Sequence, residues 1–210
     1  MYTGIVLGTC PVTAMTRGAG TSALTVDLGE YAHGLQPGAS VAVNGTCLTA
    51  VQVADGQVRF DIIDETWQQT NLSDLGVGAR VNVERSFRLG DEVGGHVLSG
   101  HVAAATTVTA VVADEGHRLL TVAVPERWMP YLMAKGFVAL NGASLTIQDL
   151  DRDASTITVS LIPETLARTT FGTVVCGDRL NLEVDAQTQA VVDTVRAMLP
   201  ELLREAQKGL

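Results

Sequence analysis

The stretch Val41-Ala42-Val43-Asn44-Gly45-Thr46-Cys47-Leu48-Thr49 returns, at an offset of 97 residues, as Val138-Ala139-Leu140-Asn141-Gly142-Ala143-Ser144-Leu145-Thr146. Four further matches keep the same order, at offsets of 96 to 99 residues: Gly4–Val6 with Gly100–Val102, Leu24–Val26 with Leu120–Val122, Glu65-Thr66 with Glu164-Thr165, and Val77–Glu84 with Cys176–Glu183. Chance similarity between short apolar runs does not preserve order in this way, so the chain contains a repeated structural unit. We predict two homologous halves, 1–96 and 97–186, followed by a tail, 187–210.

Each half is predicted to consist of short β-strands, because Val, Thr, Ile and Leu alternate or cluster in short runs bounded by Gly, Asp and Asn. The predicted strands are 3–10, 22–28, 39–43, 47–54, 57–63 and 80–86 in the first half, and 100–112, 118–124, 137–140, 144–150, 155–161 and 178–184 in the second. About six short strands in about 95 residues indicate an all-β barrel or sandwich. A closed barrel also leaves no exposed strand edge.

Short helices are predicted after Leu28 and over Glu126–Ala134, and again near Asp64 and Pro163. Early acidic residues and a proline in the first turn suit a helix N-terminus.

The tail changes to a helical period. Its apolar face consists of Val191, Val195, Met198, Leu199, Leu202 and Ala206. Pro200 lies inside this pattern and is expected to kink the helix or restart it. The apolar face either lies on the second barrel or serves oligomerisation, and its length favours oligomerisation.

Composition excludes several classes of protein. With 46% hydrophobic and 18% charged residues, the 210-residue chain is globular rather than disordered. A net charge of −9 and a pI near 4.8 argue against binding to nucleic acids or anionic membranes. No apolar run approaches the ~20 residues that span a bilayer, and the N-terminus lacks signal-peptide features. The three cysteines have no metal-type spacing, which argues against zinc and iron–sulfur sites and favours a reduced, cytoplasmic setting.

The repeated Asn-Gly block carries the first candidate site. Cys47 and Thr49 lie two residues apart on a predicted strand, as do Ser144 and Thr146, so each pair faces one side of its sheet. A thiol or hydroxyl at the same place in both halves could line a pocket. The alternative is that these are ordinary half-buried strand residues.

Two histidines form the second candidate, since His96 and His101 lie in a glycine-rich run where the halves join. Histidine titrates near neutral pH, and glycine permits close approach of a ligand. The alternative is a linker with incidental histidines. His101 stands where the other copy has Ile5, which indicates that the two copies have divided roles.

The third candidate is the pair of strand ends at Ile63 and Ile162, each of which leads into a predicted helix. The free backbone N–H groups of a helix start bind carbonyl or anionic ring edges, but simple helix capping is the alternative.

Taken together, these motifs resemble the riboflavin synthase family. The resemblance rests on the paired Asn-Gly-x-Cys-Leu-Thr and Asn-Gly-x-Ser-Leu-Thr blocks and on Met1–Val6, Gly94–Val102, Ile162–Leu166 and Gln187–Asp193. It covers the chain from residue 1 to about residue 195 and is specific as a combination.

The resemblance implies tandem six-stranded Greek-key β-barrels, each binding 6,7-dimethyl-8-ribityllumazine. It implies a homotrimer formed through the C-terminal helices, in which the N-terminal barrel of one subunit faces the C-terminal barrel of another. Such enzymes transfer a four-carbon unit between two lumazines and yield riboflavin and 5-amino-6-(ribitylamino)uracil. The resemblance implies that no cofactor or metal takes part. Association with lumazine synthase is a further expectation.

The catalytic residues implied are Cys47, His101, Ser144 and Thr146. Cys47 and its neighbour Thr49 belong to the first barrel, and His101, Ser144 and Thr146 belong to the second. The implied substrate-binding residues are Gly4, Ile5, Val6, Ser40, Cys47, Leu48, Thr49, Asp61, Ile62, Ile63, Asp64, Glu65, Thr66, His96, Gly100, His101, Val102, Lys135, Ser144, Leu145, Thr146, Ser160, Leu161, Ile162, Pro163, Glu164 and Thr165.

The chemistry leaves several roles open. The acidic C7 methyl group of a lumazine needs only a weak base, such as His101 or a relay through Ser144 and Thr146. The nucleophile at the second lumazine is water, Cys47 or Ser144. A non-catalytic antenna or carrier, or a paralogue for a modified lumazine, remains the rival function. The chain departs from the family's usual residues at Tyr2, where Phe is common, and at Thr46.

Overall fold

The computed structural model describes residues 1–114 and 116–208 of the chain. Within these ranges, the side chains of residues 114, 201, 202 and 205–208 lie outside the description.

The first barrel is a closed sheet of six antiparallel strands. Its strands are β1 (Gly8–Thr16), β2 (Thr21–Asp27), β3 (Ser40–Val43), β4 (Thr46–Ala54), β5 (Gln57–Ile63) and β6 (Arg80–Arg85). They close in the order β1-β2-β5-β4-β3-β6, which is a Greek-key arrangement. The helix α1 (Asp64–Gln69) follows β5, and short 3₁₀ helices lie at Gly29–Ala32 and Asn71–Asp74.

The second barrel repeats the first strand for strand. Its strands are β7 (Ala104–Asp114), β8 (His117–Ala123), β9 (Phe137–Leu140), β10 (Ala143–Asp151), β11 (Thr156–Leu161) and β12 (Arg179–Val184). They close in the order β10-β11-β8-β7-β12-β9, which is the order of the first barrel shifted by six strands. The helix α2 (Pro163–Arg168) follows β11, and short 3₁₀ helices lie at Glu126–Tyr131 and Thr170–Gly172. The prediction of tandem six-stranded Greek-key barrels is confirmed.

Two predicted strands begin too early. The first strand was expected over 3–10 but β1 begins at Gly8, and the strand expected over 100–112 begins at Ala104. The residues before each strand contact both barrels, because Leu7 and Ala103 still donate to Val83 and Leu182 of their own barrel while the residues ahead of them reach the other one. The helix predicted over Glu126–Ala134 is a 3₁₀ helix that ends at Tyr131, with Pro130 inside it.

Each barrel encloses its own apolar core. In the first barrel Leu24, Val58 and Phe60 are fully buried, and in the second Leu120, Ile147 and Val159 are fully buried. These side chains occupy the inward-facing positions, which alternate with outward-facing ones along each strand.

The two halves exchange their leading segments, here defined as Tyr2–Val6 and Leu98–Val102. Tyr2 and Leu98 pair with each other through two backbone hydrogen bonds of 2.9 Å. Beyond this pair the segments diverge, and Val6 packs into the core of the second barrel. The carbonyl of Gly4 accepts a hydrogen bond from the Ser144 N–H, and the carbonyl of Gly100 accepts one from the Cys47 N–H, both at 2.9 Å.

A buried asparagine network joins the two barrels. The Asn181 side chain donates to the Asn44 carbonyl at 2.8 Å, and the Asn82 side chain donates to the Asn141 carbonyl at 2.9 Å. Asn71 adds a bond of 2.7 Å from its N–H to the Asn181 side-chain oxygen. Buried amides that are hydrogen-bonded in this way fix the orientation of the groups they connect.

The tail forms one helix, α3 (Ala186–Lys208), which continues through Pro200. Of the two predicted effects of Pro200, a restart is wrong, and a kink stays a prediction. Its apolar residues Val191, Val195 and Met198 are 64%, 56% and 52% exposed. Leu202 and Ala206 belong to the predicted face, but their side chains lie outside the described residues. The Tyr131 hydroxyl donates to Asp193 at 2.6 Å and ties α3 to the second barrel. Among the described helices, none is long and apolar enough to cross a membrane.

Candidate functional site

The first site is built on the outer face of β4. Because side chains alternate along a strand, Leu48 points into the core while Cys47 and Thr49 face outward. Ser40 on β3 pairs directly with Thr49. The thiol of Cys47 is half-buried, and its sulfur accepts a hydrogen bond of 3.2 Å from the Tyr2 hydroxyl. Burial, and then the bond to Cys47, raise the pKa of Tyr2 well above its ordinary value, so this hydroxyl stays protonated.

The exchanged segment Leu98–Val102 completes the first site. A cavity of about 280 Å³ beside Cys47 is lined by Thr46, Cys47, Glu65, Thr66, Gln69, Thr70, Gly100, His101 and Val102. Gly100 has a φ of +80°, and a Cβ there would lie 2.6 Å from the Cβ of Cys47. Only glycine lets the segment approach β4 this closely.

The second site occupies the equivalent position on β10. Ser144 and Thr146 face outward, and Leu145 points into the core. The Ser144 hydroxyl lies 2.6 Å from Nδ1 of His96. The ring of His96 stacks on Phe137, with centroids 5.0 Å apart and planes inclined by 14°. Burial lowers the pKa of His96, and the charge of Asp185 partly opposes this effect, so the ring is neutral at neutral pH.

The structure corrects the predicted grouping of the histidines. His101 was expected to belong with Ser144 and Thr146 to the second barrel, but it lines the cavity beside Cys47 of the first barrel. It also lines a cavity with Trp128 and Glu183 of the second barrel. His96 is the histidine that contacts Ser144. The reason is the segment exchange, which carries residues of the second half to the first barrel.

Four predicted substrate-binding residues have side chains inside the barrel cores, namely Leu48, Ile62, Leu145 and Leu161. Their side chains are therefore not available to a ligand bound on the outer face of the strands. Val6 is likewise buried, in the core of the second barrel.

The remaining predicted residues occupy equivalent positions in the two barrels. Asp61, Ile63, Asp64, Glu65 and Thr66 lie at the end of β5 and the start of α1, and Ser160, Ile162, Pro163, Glu164 and Thr165 lie at the end of β11 and the start of α2. Ile63 and Ile162 are exposed apolar side chains at these equivalent positions, 56% and 52% exposed. Gly4 and Ile5 lie on the segment that contacts β10, and Lys135 is exposed just before β9.

Sequence reasoning missed two buried carboxylates that hold the exchanged segments. Glu84 accepts hydrogen bonds from the Thr3 N–H, the Thr3 hydroxyl and the Gly4 N–H at 2.6, 2.8 and 3.0 Å. Glu183 accepts the equivalent bonds from Ser99 and Gly100. Burial raises the pKa of both carboxyl groups despite these bonds. The repeated Asn-x-Glu pattern at the end of the last matched block was the available signal.

Fold and site together define a protein with two copies of one ligand-binding barrel. Each copy matches the family model of the lumazine binding domain, the first over residues 3–86 and the second over residues 99–185. LumP in complex with riboflavin has the same fold, with a TM-score of 0.82 and 24% identity over 88% of this chain and 100% of that one.

Curated relatives show which family of lumazine-binding proteins the chain belongs to. The riboflavin synthase of Escherichia coli (strain K12) is 42% identical over 201 residues, which are 95% of this chain and 93% of that protein. The riboflavin synthase of Mycobacterium bovis is 37% identical over 199 residues, 94% of this chain and 99% of that protein. The chain belongs to the riboflavin synthase family.

Proposed function

We propose that the chain is a riboflavin synthase, an enzyme that converts two molecules of 6,7-dimethyl-8-ribityllumazine into riboflavin and 5-amino-6-(ribitylamino)uracil. The observation that carries the proposal is the pair of matched sites, in which equivalent outward positions hold Cys47 and Ser144. Relatives named riboflavin synthase align with 95% of the chain and cover both sites.

The reaction joins two substrates, and the duplicated barrels supply two binding sites. One lumazine loses a proton from its C7 methyl group, and the other accepts a nucleophile at C7. We assign Cys47, His101, Ser144 and Thr146 to these steps, with Thr49, Gly4 and Val102 among the groups that hold the rings. Orienting two flat rings face to face can contribute about 7–11 kcal/mol to lowering the barrier, so positioning dominates the catalysis.

The two sites of one reaction come from different subunits in this proposal. The first barrel of one protomer faces the second barrel of another in a homotrimer, and α3 forms the contact. The exposed apolar face of α3, with Val191, Val195 and Met198 half or more exposed, supports this assembly.

Further partners and the cellular location are part of the proposal. A lumazine synthase is the proposed protein partner of the trimer. The cytoplasm is the proposed location, because Cys10, Cys47 and Cys176 are all unpaired, as expected in a reducing compartment.

The test is incubation of the pure protein with 6,7-dimethyl-8-ribityllumazine while absorbance near the riboflavin band is followed. One riboflavin and one pyrimidine per turnover is the expected result. Ligand binding with altered lumazine fluorescence and no riboflavin would instead make the protein a carrier or a paralogue for a modified lumazine.

A further inference from the structure

We propose that His96 is a positioning residue of the second site, where it orients the Ser144 hydroxyl and takes up its proton as Ser144 removes a proton from the C7 methyl group of bound lumazine. This inference rests on the proposed function, because it assigns one step of that reaction to one barrel.

The geometry fixes both partners of the pair. Nδ1 of His96 lies 2.6 Å from the Ser144 hydroxyl, within the range of a short hydrogen bond. His96 is only 7% exposed, and its ring stacks on Phe137. A Cβ on Gly95 would lie 2.9 Å from the Ser144 oxygen, so only glycine leaves room for the hydroxyl at this position. The short hydrogen bond therefore directs the Ser144 hydroxyl toward the His96 ring.

The second ring nitrogen of His96, Nε2, indicates that the ring accepts a proton. Nε2 is buried and has no hydrogen-bond partner among the described residues. Buried polar atoms are normally paired, so an unpaired one calls for a functional explanation. With its hydrogen on Nε2, the neutral ring accepts the Ser144 hydroxyl at Nδ1. It can then take that proton without losing or exchanging any partner.

The step balances as a proton relay. The methyl C–H bond breaks and an O–H bond forms on Ser144, while the original Ser144 O–H bond breaks and an N–H bond forms on Nδ1. The electron pair of the C–H bond stays on the lumazine, which becomes the anion, and His96 becomes the cation. The carboxylate of Asp185 favours that cation, and burial disfavours it.

At the equivalent position of the first site, no histidine among the described residues is hydrogen-bonded to the residue on the strand. There the partner of Cys47 is the Tyr2 hydroxyl, which donates its hydrogen to the sulfur. A phenol carries no basic nitrogen, and the raised pKa of Tyr2 keeps its hydroxyl protonated, so it cannot take up a proton from Cys47. The pairs Cys47–Tyr2 and Ser144–His96 therefore differ in chemistry, and the relay belongs to the second barrel.

The experiment measures exchange of the C7 methyl protons in D₂O by NMR with saturating 6,7-dimethyl-8-ribityllumazine, after subtraction of the uncatalysed rate. We compare the wild type with His96→Phe, which keeps the stack on Phe137. The expected result is an exchange rate about 100-fold lower, the size typical of losing a general base, with the dissociation constant unchanged within about threefold. Adding Ser144→Ala to His96→Phe is expected to produce no further loss, because both groups serve one relay.

The matched control is His117→Phe, the same replacement at an exposed histidine at the start of β8, which should exchange like the wild type. If His96→Phe does not fold, His96→Gln replaces it, since an amide can bond to Ser144 but cannot take up its proton. Exchange within threefold of wild type in either folded variant, or a loss confined to binding, overturns the inference. Wild-type protein that exchanges the methyl protons but forms no riboflavin would refute the proposed function while leaving the relay supported.

Discussion

At the scale of single residues, glycines determine how closely the exchanged segments approach the sites. Gly4 has a φ of +75°, and a Cβ there would lie 2.5 Å from the Cβ of Ser144. Gly100 takes the same place at Cys47, with the equivalent distance of 2.6 Å. Any side chain at these positions has to push the segment away from the strand that carries the reactive group.

We expect Gly4→Ala to impair the second site and Gly100→Ala the first. Each variant combines backbone strain of about 1–2 kcal/mol with a steric clash. Gly78→Ala is the control, because Gly78 also has a positive φ, of +89°, but open space around it. Calorimetric titration with the lumazine should fall from two binding events per chain to one in both site variants and stay at two in the control.

Protection of Cys47 from alkylation tells the two sites apart. Bound lumazine should still protect Cys47 in Gly4→Ala but not in Gly100→Ala. Equal protection in both variants would show that the exchanged segments do not govern the sites separately.

The reactive groups themselves should be helpful rather than indispensable. Because orientation of the two rings dominates, Cys47→Ser and Ser144→Ala should slow riboflavin formation without abolishing it. The measurement is kcat under saturating lumazine. A loss beyond about a million-fold, or about 8 kcal/mol, from either change would contradict this expectation.

At the scale of elements, the start of α3 depends on one carboxylate. Asp185 accepts hydrogen bonds from the Thr188 N–H at 2.8 Å and from the Thr188 hydroxyl at 2.6 Å, which is an N-terminal cap. Burial alone would raise the pKa of Asp185, but these bonds and one from the Gln187 N–H outweigh it and lower the pKa. The cap therefore contributes fully above the ordinary pKa near 4. It is lost as pH falls through the lower value of the folded protein.

We expect Asp185→Ala to destabilise the first turn of α3 by about 1 kcal/mol at neutral pH. Amide hydrogen exchange of Gln187–Ala190 is the measurement, with Asp149→Ala, which removes an exposed carboxylate on β10, as the control. In acid, below the lowered pKa of Asp185, the variant and the wild type should converge. A difference that persists there would refute the charged cap.

The strands show how far the fold could be predicted from the sequence. Most strands were predicted within one or two residues, because alternation between core and surface depends only on local pattern, as in Gln57–Ile63. The first strand failed because Tyr2–Val6 packs against the other barrel, which no local pattern records. The contact of His96 with Ser144 escaped for the same reason, since the two residues are 48 positions apart.

At the scale of the whole molecule, the asparagine network connects the two barrels. Asn82 and Asn181 occupy equivalent positions, and the side chain of each donates to a backbone carbonyl of the opposite half. Asn82 also accepts from the Thr170 N–H at 2.8 Å, as Asn181 does from Asn71. Removing either amide leaves a buried N–H and a buried carbonyl without their partner.

Asn82→Ala and Asn181→Ala should therefore destabilise the protein by similar amounts, about 2–4 kcal/mol each, from the penalty of unsatisfied buried groups. Urea unfolding gives the free energies. Thr173→Ala, which removes an exposed hydroxyl next to the same interface, is the control. A cost below about 1 kcal/mol for either asparagine variant would show that water replaces the lost bonds.

The exchange of leading segments also bears on ancestry. An ancestral half with this architecture had to exchange its leading segment with a second identical copy, so both sites of that symmetric pair carried the same residues. Joining the two copies into one polypeptide removed that restriction, because each copy could then mutate by itself. Cys47 with Tyr2 and Ser144 with His96 record the divergence that fusion permitted.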